Sequence, residues 1–284
     1  MQLDVDFSNK HVVVFGGTTG INFGIARAFA RQGANVSVMS RSQANVDAAC
    51  AILAAEKGRV FGASADVRDF AAVGRALQMA ASEFGPLDVV VSGAAGNFLC
   101  EAASMSSNGF KVVIDIDLIG SFHVLRQCHA LLRKPGASII NITAPQGSVA
   151  MRYQVHAAAA KAGIDQMTRS LALEWGQEGI RINAISPGPI DGTEGVRRLM
   201  AATEERRSVA TRAVPLKRLG ELDDIANLAL FLASPYAAYI SGAVIPCDGG
   251  GAVESVKPAI EAAGEQMAGN AQTPTARKSR DQRY

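Results

Sequence analysis

Cysteine, aromatic residues and long apolar runs are all scarce in this chain. Four cysteines are scattered through 284 residues, with one tryptophan and 6% aromatic residues in all. Cys50, Cys100, Cys128 and Cys247 share no CxxC spacing, which argues against disulfide frameworks and metal sites and predicts buried thiols in a reducing compartment. No apolar segment approaches the roughly 20 residues of a membrane span, so no membrane insertion is expected. Met1 to Lys10 lacks the apolar core of a secretory signal. Asp281-Gln282-Arg283-Tyr284 is not a peroxisomal address, and a cytoplasmic protein is expected. Strong charge is missing too. The formal balance is +2, and Arg277, Lys278, Arg280 and Arg283 against Asp281 place a net +3 in the tail, leaving a near-neutral body. No nucleic-acid face is expected on such a body.

What remains is an even, apolar-rich chain, 48% hydrophobic and 19% charged, suited to a sheet covered on both faces. Strand-like runs at His11–Phe15, Asn35–Met39, Arg59–Ser64, Leu87–Val91, Ala137–Ile142, Arg181–Ala184 and Ala243–Pro246 alternate with helical segments. The helices are expected at Ile21–Arg31, Gln43–Ala55, Asp69–Phe84, Asn108–Leu132, Val155–Trp175 and Glu221–Leu232. This alternation predicts a Rossmann-type, doubly wound α/β fold: about seven parallel strands in a single domain with helices on both faces. The domain is placed at 1–252, with a substrate flap over about 189–214. A C-terminal extension follows at 253–284, its end expected to be disordered.

Gly16-Gly17-Thr18-Thr19-Gly20-Ile21-Asn22-Phe23-Gly24 joins the first strand to the first helix. Glycine permits the tight turn and close approach that a pyrophosphate needs at a helix N-terminus. Gly16, Thr18, Thr19, Gly20 and Ile21 are therefore dinucleotide-binding candidates. The second strand ends in Ser40-Arg41, where a site specific for NAD usually presents a carboxylate. A guanidinium suits a 2′-phosphate instead, which points to NADP.

These motifs, with Asp66-Val67, Ser92-Gly93-Ala94-Ala95-Gly96, Lys161, Asn183 to Ile190 and Asp248-Gly249-Gly250, resemble the short-chain dehydrogenase/reductase family over residues 8 to 250. The resemblance implies that Asp66 and Val67 contact adenine. It places Gly93 and Ala94 beneath the cofactor and Pro187, Gly188 and Ile190 at the nicotinamide carboxamide, with Lys161 on the nicotinamide ribose. Asn22 stands where the family's third glycine usually sits. Asparagine tolerates left-handed backbone, so a preserved loop with altered packing is expected. The family also implies a homo-oligomer, a tetramer or a dimer, formed through the two long helices.

The chain departs from the family where the chemistry lies. Ala157 occupies the position of the catalytic tyrosine, Ala144 that of the serine thirteen residues earlier, and Asp117 that of the asparagine. In these departures, and in Ala94 to Cys100, Asp115-Ile116-Asp117 and Pro187 to Gly195, the chain resembles the peroxisomal type of 2,4-dienoyl-CoA reductase. That resemblance implies NADPH-dependent conversion of a 2,4-dienoyl-CoA to a 3-enoyl-CoA, with an acyl-CoA-type substrate and Lys161 and Asp117 as catalytic residues. Conjugate hydride transfer leaves a delocalised dienolate, which needs hydrogen-bond donors at its oxygen more than a matched acid. Asp117, directly or through one water, is expected to supply the quenching proton. Asn97, Phe98, Gln146 and His156 are candidates for substrate contact, with the Gln146 amide, His156 or Tyr153 as oxyanion donors, and Asp165 is a candidate either to steer the lysine or to bond backbone in a neighbouring subunit. Two other readings stay open: a carbonyl reductase with a relocated acid such as Tyr153, and an inactive NADP-binding sensor or assembly protein. No metal site is expected.

Overall fold

The structure is a computed structural model that describes residues 5–199 and 203–253. The extension expected at 253–284 therefore lies almost wholly outside the described residues. In chain order the elements are β1 His11–Phe15, α1 Gly20–Arg31, β2 Asn35–Ser40, α2 Gln43–Leu53, β3 Val60–Ser64, α3 Phe70–Phe84 and β4 Val89–Ser92. They continue with α4 Ser107–Val113, α5 Gly120–Cys128, β5 Ser138–Ile142, α6 Val155–Trp175 and β6 Arg181–Pro187. The last are α7 Glu194–Leu199, α8 Glu204–Ala213, α9 Leu222–Ala233 and β7 Val244–Cys247.

All seven strands join one parallel sheet in the order β3-β2-β1-β4-β5-β6-β7. Alternation along each strand divides the core. Val12, Val14, Val36, Val38, Val91, Ile140 and Ile185 pack with Ile25 and Phe29 of α1 and with Ile225 and Leu230 of α9. Val13, Phe15, Met39, Val90, Ile139 and Ile182 face the other way, onto Val73 and Leu77 of α3 and Val124 and Leu125 of α5, with Met167 and Leu171 of α6 against them. Covering both faces buries the valine and isoleucine runs that a parallel sheet requires. The order reverses between β1 and β4, and the crevice outside the strands' carboxyl ends at that point is where such sheets bind ligands.

One expected element differs. The helix expected over Asn108–Leu132 is interrupted by a π-turn, Ile114–Ile119, between α4 and α5. A π-turn adds one residue to the turn, and such insertions concentrate at functional sites. Here the Ser121 hydroxyl donates to the Asp117 carbonyl at 2.6 Å, holding the altered turn. Small residues bring the neighbours close: Gly120 lies against Val67, and Gly163 of α6 lies against Leu118. The expected flap is also structured, since α7 and α8 fall within 189–214.

A Cβ on Gly120 would stand 2.6 Å from Val67 Cγ2, attached to a stiff β-branched side chain. Gly120→Ala is therefore expected to cost about 1–3 kcal/mol of stability through overpacking, read from the denaturant midpoint. A midpoint equal to that of the unmodified chain would show that the π-turn tolerates displacement.

Candidate active site

At the carboxyl end of the sheet, β1 runs into a turn in which Gly16 and Gly20 adopt φ of +73° and +56°. Those angles favour glycine over side chains with a Cβ. Thr19 caps α1 without a side-chain hydrogen bond, and the first turn of the helix carries no acidic residue. Its N–H groups are left for an incoming acceptor, so the loop fits a dinucleotide pyrophosphate. Thr18 and Thr19 lie in this turn, and Ile21 in the first turn of α1. Asn22 does not behave as expected. It lies within α1 and is absent from the residues with positive φ, so left-handed tolerance is not what admits it. Its side chain instead enters the space beside Gly93 and donates from Nδ2 to the Gly93 carbonyl at 2.7 Å.

Ser40 ends β2 and Arg41 follows it, and the Ser64 hydroxyl donates to the Arg41 carbonyl at 3.0 Å, fixing the backbone there. The Arg68 guanidinium donates to both oxygens of Asp66, with Nε and Nη contacts of 3.0, 3.1 and 2.5 Å. These bonds hold the Asp66 carboxyl below its ordinary pKa, with the exposed Arg41 guanidinium adding to the effect. Arg68, unremarked in the sequence, thus acts with Arg41 on the Asp66 carboxyl. Across the sheet Pro187 closes β6, the Gly188 N–H donates to the Cys247 carbonyl at 3.0 Å, and Ile190 is buried in the core shared with α1 and α9.

The centre of the site is a buried ion pair. The Lys161 ammonium lies 3.2 Å from Asp117 Oδ2, with the two residues 7% and 1% exposed. Lys161 also donates to the Ile142 carbonyl at 3.3 Å, at the end of β5. The second oxygen of Asp117 accepts the Gly96 N–H at 2.8 Å. The π-turn, α6, β5 and the loop after β4 therefore meet at one ion pair. Ala157, one turn before the lysine, is 2% exposed and offers no hydroxyl, and Ala144 offers none either.

Around this pair, buried polar atoms lack partners. Among the described residues they are Asn22 Oδ1, Asn141 Oδ1, Gln146 Oε1, both ring nitrogens of His156, and Asp165 Oδ1. All belong to α1's first turn, β5, the loop after β5, or α6. Native folds satisfy most buried polar groups, so such a concentration marks a place built for something other than packing. His156 is fully buried against Phe98, ring centroids 4.4 Å apart, and burial lowers its pKa. Asp165 does not ion-pair with Lys161 among the described residues; burial raises its carboxyl pKa instead.

The substrate candidates Asn97 and Gln146 meet through a residue the sequence did not single out. Asn97 Nδ2 and Gln146 Nε2 both donate to Gln154 Oε1, at 2.7 and 2.9 Å. One proton of the proposed Gln146 donor is therefore engaged. Tyr153, the alternative acid, is half exposed and strained at φ +66°, and its carbonyl accepts the Cys100 N–H at 3.0 Å.

The family model described as enoyl-(acyl carrier protein) reductase matches residues 16–251. The peroxisomal 2,4-dienoyl-CoA reductase, (3E)-enoyl-CoA-producing, of Pongo abelii is 46% identical over 85% of this chain and 83% of its own. The chain belongs to the short-chain dehydrogenase/reductase family. It is an oxidoreductase whose family uses a nicotinamide cofactor. A Bacillus subtilis (strain 168) protein named "Probable 2,4-dienoyl-CoA reductase", (2E)-enoyl-CoA-producing, is 38% identical over 85% of this chain and 96% of its own. Among solved structures, a short chain dehydrogenase from Bacillus anthracis superposes with a TM-score of 0.77 at 35% identity, covering 86% of this chain and 96% of that one.

Asp165 offers a test of the site's electrostatics. A carboxyl whose folded pKa is raised favours the fold fully below its unfolded value of about 3.9, and that contribution is lost as pH rises through the folded value. Asp165→Asn, which cannot ionise, should therefore be more stable than the unmodified chain at pH 7. The gap should close by about pH 4 in denaturant titrations, where the unfolded carboxyl protonates. A gap of equal size at both pH values would contradict the burial argument.

Proposed function

We propose that this enzyme reduces a 2,4-dienoyl-CoA thioester to a 3-enoyl thioester with NADPH. The observation that carries the reading is the buried Lys161–Asp117 pair beside two alanines where the family keeps its tyrosine and serine. Reduction of an isolated ketone creates a localised alkoxide that requires a nearby acid of matched pKa. At Ala157 and Ala144 this chain has none. A dienoyl thioester makes a smaller demand, because hydride addition at the far carbon spreads the charge onto the thioester oxygen.

The cofactor supplies the hydride when bound, and the glycine loop, Ser40 and Arg41 are assigned to hold its phosphates. Lys161 is assigned to the ribose and, as a cation, stabilises the adjacent enolate charge. Asp117 Oδ1 and Oδ2 both accept hydrogen bonds, so the carboxylate fixes the ammonium and the Gly96 segment together. The proton that quenches the dienolate at the α-carbon then comes from the Asp117–Lys161 pair, directly or through one water. Protonation there, rather than at the γ-carbon, leaves the remaining double bond at position 3, as in the product named for the Pongo relative. The apolar side chains of Ile119, Phe122 and Leu173, exposed on the π-turn, α5 and α6, support assembly of the enzyme as a dimer or tetramer.

Oxidation of NADPH in the presence of a dienoyl-CoA, with no comparable rate on a 3-oxoacyl-CoA, is the direct test. Ketone reduction as the faster reaction would replace this reading with a carbonyl reductase. For the cofactor, Arg41→Ala should weaken NADPH binding by about 1–3 kcal/mol while leaving NADH binding nearly unchanged, as loss of one charge-assisted bond requires. Equal affinity of the unmodified enzyme for the two cofactors would remove the basis for NADP.

Asp117→Asn retains shape but can accept from only one of Lys161 and Gly96, and it loses the charge. It should lower kcat on the order of 10²–10⁴-fold with a smaller change in cofactor affinity. Near-normal turnover across pH would reduce Asp117 to a tether between helix and loop.

A further inference from the structure

Asn22 is the one residue of the glycine loop that breaks the family pattern, and its contacts give it a task. Gly93, at the end of β4, has no side chain, and the Asn22 carboxamide fills the space where one would be. A Cβ added to Gly93 would stand 2.5 Å from both Asn22 Cγ and Nδ2, with Oδ1 closer still. Nor can Gly16 take a side chain freely, since its Cβ would meet Asn22 Nδ2 at 3.0 Å and the Ala94 backbone at 3.1 Å. The Gly93 carbonyl accepts from Asn22 Nδ2 at 2.7 Å, while Asn22 Oδ1 is buried with no partner. Three residues on, the same stretch of chain donates from Gly96 N to Asp117 at 2.8 Å.

We propose that Asn22 is a positioning residue that fixes the Gly93–Gly96 segment between the dinucleotide loop and the Lys161–Asp117 pair. The segment is short and glycine-flanked, with no strand pairing beyond Ser92 to direct its peptide planes. Asn22 sets the plane at one end and Asp117 sets it at the other. Turning the Gly93 carbonyl rotates the Ala94 amide and alters the floor on which the nicotinamide end of a cofactor rests. Gly93 and Asn22 are therefore one exchanged unit: the side chain missing from the strand is supplied by the helix. This inference rests on the dinucleotide reading of the site but on no particular acyl substrate.

The experiment combines hydrogen–deuterium exchange of ligand-free protein with equilibrium binding of NADPH, so that no turnover is needed. Asn22→Asp keeps the volume but turns an oxygen toward the Gly93 carbonyl. Loss of a buried hydrogen bond corresponds to roughly a 10- to 100-fold change, so exchange at 93–96 should quicken and the NADPH Kd should rise by that order. Exchange in β5 and β6 should stay unchanged, which a general loss of stability would not allow. The cycle of Gly93→Ala, Asn22→Gly and the double variant gives a second arm that does not depend on the aspartate. Gly93→Ala in the unmodified chain should impair NADPH binding strongly, whereas in the Asn22→Gly background the same change should add little to the loss that Asn22→Gly itself causes. Normal exchange and binding in Asn22→Asp overturns the proposal. Equal damage from Gly93→Ala with and without Asn22 overturns it as well.

Discussion

An ammonium and a carboxylate removed from water must find each other or lose their charges, and this constraint shapes the site. Desolvating either group alone costs several kcal/mol. The 3.2 Å contact between Lys161 and Asp117 offsets that cost only because donors and acceptors fill the remaining positions around it. Ile142 supplies a carbonyl to the lysine, and Gly96 supplies an N–H to the carboxylate. Each of these groups comes from a different element. Strand end, loop, π-turn and helix are held in register by the need to satisfy one charge pair. The close approach of Gly163 to Leu118 follows from it, since it lets the π-turn and α6 come near enough to meet.

The sheet carries this arrangement without taking part in it. Its valines and isoleucines are buried on both sides, and its order reverses between β1 and β4, so the loops after those strands diverge and leave a crevice. Unpartnered polar atoms gather on the elements that border the crevice. Rigidity lies below and unmet hydrogen-bonding capacity above, the division expected where a scaffold is separated from its chemistry.

Much of the scaffold was legible because its signals are local. Valine runs, glycine turns and the β-then-helix alternation determine the strands and their parallel order with little help from distant contacts. The π-turn was not legible, because inserting one residue into an apolar helical pattern leaves no mark on a 3.6-residue period. Asp117 and Lys161 were named through family resemblance, but their direct contact needed the fold: 44 residues separate them in the chain. Gln154 carried no signal at all, being one of several polar residues before a helix. Asn22 drew notice for the wrong reason. Its backbone is ordinary, and what matters is the empty volume at Gly93, a residue 71 positions away.

The Gln154 amide oxygen is shared by Asn97 and Gln146, and the Tyr153 carbonyl by the backbone of Cys100. The loops after β4 and β5 are thereby stitched along one seam, on the outer side of Phe98 and His156. Two walls joined in this way do not part independently. Loss of the Gln154 amide would release both loops at once, since the side chains of Asn97 and Gln146 end on the same oxygen.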